Sequence, residues 1–148
     1  MNKVYYVENL LDTFDWVGRN INEVGVDDSY VNITTVKIEG NIFGVKAEGF
    51  AQLKNDFTIN ILHFSSINIF VEGQNSKDIV DKLEELYGKP YLEGTDPYVE
   101  SQGGAIYWKK YYVDKGIITF SITSKTNMIC IKYQLSPLPQ EIKTNNYN

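Results

Sequence analysis

One cysteine, one histidine and one arginine stand in a chain of 148 residues, and each scarcity closes off a kind of chemistry. With Cys130 alone no intramolecular disulfide can form, and its place in a strand pattern reads as a buried structural thiol. A zinc site needs several His or Cys ligands, and His63 with Cys130 supplies two at most, so no metal or other cofactor is expected. Arg19 is the sole side chain able to grip phosphate or guanine as a bidentate fork. Fourteen basic against nineteen acidic side chains leave a formal charge of −5, which works against binding along a phosphate backbone, so nucleic acid is not the expected partner. No stretch approaches the roughly 18 apolar residues of a membrane span, and the N-terminal residues lack the apolar core of a signal peptide. Unless a leader has been removed, the chain reads as cytoplasmic and soluble.

Catalytic motifs are equally scarce. There is no Gly-x-Gly-x-x-Gly, no Walker loop and no Gly-x-Ser-x-Gly elbow, and Gly103-Gly104 precedes a strand, not the helix N-terminus that would hold a phosphate. A hydrolase would have to use His63 with Ser65, Ser66 or Cys130 as nucleophile, or a carboxylate pair formed only on folding. Asp12, Asp15, Glu23, Asp27 and Asp28 are too loosely spaced for an EF-hand and read as a solvated face.

What is present is an ordinary globular balance, 43% hydrophobic and 22% charged, with 11 tyrosines as the unusual feature. Length predicts one domain over residues 1–135, followed by a polar tail over 136–148. The clearest element begins at Ser76, an N-cap followed by Asp78 where the helix dipole favours negative charge. Ile79, Val80, Leu83, Leu86 and Tyr87 then form one apolar stripe, which Gly88 and Pro90 terminate. Residues 89–104 read as a long connection. Beyond it, Tyr107-Trp108-Lys109-Lys110-Tyr111-Tyr112 is the most aromatic strand. Strand alternation puts Tyr107, Lys109 and Tyr111 on one face and Trp108, Lys110 and Tyr112 on the other. If one face packs on the helix, the other still shows two aromatics flanking a cation. The plainer alternative is cross-strand packing throughout.

Earlier in the chain, Val7, Leu10, Leu11, Phe14 and Val17 recur at helical spacing and predict a helix over 8–17. Asn20 and Glu23 have the spacing of a capping box for a short turn closed by Gly25. Val31 to Glu39 reads as a strand with a bulge near Thr34 and Thr35, Gly40-Asn41 as a hairpin turn, and Phe43 to Leu53 as the returning strand. Lys54-Asn55-Asp56 predicts another turn. Phe57 to Phe64 and Ile67 to Val71 alternate on either side of Ser65-Ser66, as two strands or one broken strand. Residues 117–124 and 128–135 complete a meander with the aromatic strand.

The predicted fold is α+β: a mainly antiparallel meander of about six or seven strands with two main helices on one face. The halves 7–72 and 76–135 are candidate tandem helix-meander units. The helix end Leu86-Tyr87-Gly88-Lys89-Pro90, followed by a strand with Trp108, resembles the helix-plus-meander units of the beta-lactamase-inhibitor-like proteins. That resemblance implies a partner bound on an aromatic-rich concave sheet and carries no functional residue to this chain. The expected function is a non-enzymatic protein-binding module of the inhibitor or immunity kind, its partner another protein. Its candidate contact residues are Tyr107, Trp108, Lys110, Tyr111 and Tyr112, with Tyr98 at the rim. A small-ligand or carbohydrate binder is the alternative, and a hydrolase using His63 comes third.

Overall fold

The computed structural model describes residues 3–56, 61–72, 76–95, 106–113, 115–123 and 128–135. The chain divides into two compact units, residues 1–71 and 72–148.

The first unit opens with β1 (Tyr5–Asn9), whose Tyr-Tyr-Val sequence favours extended backbone. It runs parallel to β3 (Thr35–Ile42), with Tyr5 opposite Ile38 and Val7 opposite Gly40. A 3-10 helix over Leu10–Trp16 follows, capped by Asn9, whose side chain accepts from the Leu11 amide at 3.2 Å. The helix expected over 8–17 is therefore corrected to a strand end and a tighter 3-10 turn. Over seven residues, periods of 3.0 and 3.6 put nearly the same side chains on one face, so Leu10, Phe14 and Val17 are buried in either case. The capping box is formed: Asn20 accepts from the Glu23 amide at 2.8 Å, opening α1 (Ile21–Val24), and Gly25 closes it at φ +87°.

Where one bulged strand is expected from Val31, β2 (Val31–Asn32) pairs antiparallel with β3 through a turn at Ile33 and Thr34. The hairpin between β3 and β4 (Val45–Asp56) turns at Phe43-Gly44, with φ of +51° and +77°, as a type I′ turn requires at both central positions. The turn expected at Gly40-Asn41 thus lies too early in the chain. Gly40 sits inside β3 instead, because a Cβ there would run into the Val7 carbonyl oxygen of β1. This glycine marks a close backbone approach, the other meaning of glycine in a strand. Lys54-Asn55-Asp56 likewise continues β4 rather than turning.

Of the two readings open for the next stretch, two strands or one broken strand, the structure forms one strand, β5 (Ile61–Glu72), and residues 57–60 lie outside the described residues. Gln52 faces Ser66 while Leu53 faces Phe64, so Ser65 is the extra residue of a bulge. That insertion changes the parity of the buried side chains from Phe64 to Ile67, Ile69 and Val71, which the sequence shows only as an interruption. Leu10, Val36, Ile38, Ile42, Ala51, Phe64 and Ile67 are fully buried in this unit.

The second unit starts with α2 (Ser76–Tyr87), bounded as its stripe and caps predict; the Gly88 amide donates to the Glu84 carbonyl at 2.8 Å with φ +83°. Ile79 and Leu83 are buried, whereas Leu86 is exposed. Four strands follow, β6 (Leu92–Thr95), β7 (Ile106–Val113), β8 (Gly116–Thr123) and β9 (Met128–Leu135), each antiparallel to the next. α2 lies against β7. Tyr111, Ile118, Phe120, Ile129 and Ile131 make the buried face of these strands.

The described residues therefore contain nine strands, β1 and β3 among them running parallel, and α2 is their only long helix. This overturns the expected antiparallel meander of about six or seven strands with two main helices. The missing helix is the 3-10 turn. The added strands are β1, β2 and β6, which are too short to show alternation in sequence and are held by their neighbours' edges. The second unit keeps the predicted order of helix then meander, while the first begins with a strand.

Candidate functional site

β7 divides its aromatic side chains as alternation dictates. On the face toward α2, Tyr111 is fully buried, and Tyr107, at the strand's other end, is 50% exposed. Between them Lys109 pairs with Glu93, its cross-strand neighbour on β6, at 2.8 Å. Burial, and then the carboxylates of Glu84 and Glu93, push the Tyr111 hydroxyl up to about 12. That hydroxyl has no hydrogen-bond partner among the described residues.

The opposite face carries Trp108, Lys110 and Tyr112, all half-buried. Their neighbours come from β6 and from Tyr91 just before it. The Tyr91 ring stacks on Tyr112 with centroids 4.1 Å apart and planes at 29°, and the Tyr91 amide donates to the Lys110 carbonyl at 2.9 Å. Gly94 lies opposite Trp108 in register, and a Cβ on it would come within 2.9 Å of the indole, so the absent side chain leaves the floor on which the ring lies. Lys110 holds its ammonium 5.5 Å from the Trp108 ring centroid. Burial, with the Tyr112 hydroxyl adding to it, pushes Tyr91 up to about 12. The Tyr112 hydroxyl is itself buried, near enough to Tyr91 to raise its pKa but without a well-formed hydrogen bond among the described residues.

The structure thus brings together Trp108, Lys110 and Tyr112 and separates them from Tyr107 and Tyr111. Tyr98 lies outside the described residues. Tyr91, Leu92 and Gly94 belong to the 89–104 stretch expected only as a connection at the rim of this face, and they join the site because part of that stretch forms β6. Their one signal is the period of two in Leu92 and Gly94, which a glycine conceals. Beneath the C-terminal end of α2, an open cleft of about 500 Å³ is lined by Glu84, Lys89, Pro90, Tyr91, Leu92, Glu93 and Lys109.

His63 is half-buried on β5 opposite Lys54 and bridges to Asn20. The Ser65 hydroxyl donates to the Gln52 carbonyl at 3.3 Å rather than to His63, and Ser66 is buried. Among the described residues no three His, Cys, Asp or Glu side chains converge as a metal site would require, and no helix is long and apolar enough to cross a membrane. Cys130 is half-buried rather than fully buried as expected, and burial raises the pKa of its thiol. Comparison of the chain with protein-family models, with curated proteins and with solved structures finds no match in any of the three.

Proposed function

We propose that the chain is a non-enzymatic protein-binding module whose contact surface is the Trp108, Lys110 and Tyr112 face of the second unit. The observation that carries this reading is the stacked and floored arrangement of Trp108, Tyr112 and Tyr91 on a half-exposed strand face. Rings held this way present large apolar area with little side-chain entropy left to lose, the property that concentrates binding energy in interface Trp and Tyr. An inhibitor or immunity role fits such a surface, as does the resemblance to beta-lactamase-inhibitor-like units. The carbohydrate or small-ligand alternative draws less support, because the cleft beside α2 is open and lined mainly by charged side chains.

The test is capture of a partner from lysate of the source organism by wild type and by the Trp108→Ala, Tyr112→Ala double variant, both checked for folding by circular dichroism. A stoichiometric protein retained by wild type alone is expected. Equal retention by both, or no specific protein with either, would remove this face from the function.

A further inference from the structure

The register of β6 to β9 determines what surrounds the aromatic face. Leu92, Lys110, Thr119 and Lys132 form one row across the four strands. Trp108, Ser121 and Cys130 form the row on one side of it, and Tyr112, Ile117 and Gln134 the row on the other. These positions include two lysines and no aspartate or glutamate. The carboxylate of β6, Glu93, lies on the opposite face and is paired with Lys109. In a chain of formal charge −5 this is a local reversal of sign. β7 and β9 are two strand spacings apart, so the Lys110 and Lys132 backbones lie about 10 Å from one another, with Thr119 between them.

Resting on the proposal that this face binds protein, we infer that its occupant is an acidic segment of the partner: carboxylates meet Lys110 and Lys132 while apolar or aromatic side chains lie on Trp108, Tyr112 and Tyr91. Charge complementarity selects the occupant. Lys110 is already drawn over the indole, so a carboxylate reaching it meets a cation oriented on a partly desolvated surface. The chain's remaining negative charge acts weakly on a short segment, because exposed charges farther than about 8 Å are screened at physiological salt. A nucleic acid strand combines stacking with negative charge as well, but the two lysines here can neutralise only about two phosphates, and a strand extending past them meets an acidic protein.

The test is selection of a random dodecapeptide display library on the full chain, with Trp108→Ala and the Lys110→Glu, Lys132→Glu double variant as parallel targets. A Lys110→Gln, Lys132→Gln variant covers the event that charge reversal prevents folding. Peptides enriched by wild type are expected to carry an excess of aspartate and glutamate. Their affinity, read by fluorescence polarisation, is expected to fall about tenfold or more with either lysine variant and to weaken with added salt. Neutral or basic peptides whose capture still needs Trp108 would overturn the acidic occupant and leave the protein-binding face standing. Peptides indifferent to Trp108→Ala would overturn both. Oligothymidylate binding more tightly than the best peptide would overturn the assignment in favour of a nucleic acid.

Discussion

Replacing Tyr111 by phenylalanine isolates one oxygen atom. The residue is fully buried, and its hydroxyl has no hydrogen-bond partner among the described residues. A buried hydroxyl in that state costs about 1–3 kcal/mol, a noticeable part of the roughly 5–15 kcal/mol that holds a domain folded. Phenylalanine keeps the ring packing and removes the cost, so Tyr111→Phe should stabilise the protein by about 1 kcal/mol at neutral pH. A second signature follows from titration. The hydroxyl pKa rises from 10.0 to about 12 on folding, so the folded state holds this proton more tightly than the unfolded state. The associated stability is fully present below pH 10 and is lost as pH rises from 10 toward 12. By about pH 11 the wild type should have lost on the order of 1 kcal/mol through this group alone. Urea unfolding followed by tryptophan fluorescence, run on both proteins at neutral pH and near pH 11, reads both effects. The substitution removes this one titrating group, so the difference between the two proteins isolates Tyr111. A variant destabilised at neutral pH, or one that loses stability as steeply as wild type in alkali, would refute the assignment of Tyr111 as a buried, unsatisfied hydroxyl.

Two further outcomes test the backbone. Ile33 holds φ +58° at the β2–β3 turn with 85% of its surface exposed, so it bears the left-handed strain of about 1–2 kcal/mol with almost no burial in return. Ile33→Asn should therefore raise stability by about 1 kcal/mol, seen as a higher urea midpoint at unchanged slope; an unchanged or lower midpoint would refute the strain. Gly40→Ala should destabilise by at least about 3 kcal/mol, because its methyl group would meet the Val7 carbonyl, and amides of β1 should lose hydrogen-exchange protection first. Retention of that protection would mean the β1–β3 pairing does not need the glycine.

Local signals carried well where one element satisfies itself. α2 is readable from Ser76 to Gly88 because stripe, cap and stop all lie within it, and the Asn20 and Glu23 capping box is legible for the same reason. The aromatic strand and its two faces follow from a period of two. The third and fourth strands of the chain were harder to delimit, because glycine has two meanings there. Gly40 reads locally as a turn, yet its role is set by the approach of β1 from more than thirty residues earlier in the chain. Similarly, the Ser65 bulge is visible as a break, but only the pairing with β4 shows that the strand continues through it.

By itself the sequence determined composition, charge, the absence of catalytic and nucleotide-binding motifs, the limits of α2, and the division of β7 into a Tyr107, Lys109, Tyr111 side and a Trp108, Lys110, Tyr112 side. These rest on the content and period of contiguous residues. Tertiary structure decided which side is buried against α2, that Tyr91 and Gly94 complete the other side, that Lys132 shares a row with Lys110, and that β1 pairs in parallel with β3. The physical reason is that cross-strand register is set by hydrogen bonds and packing between residues distant in the chain, and a shift of one residue would have exchanged the two faces.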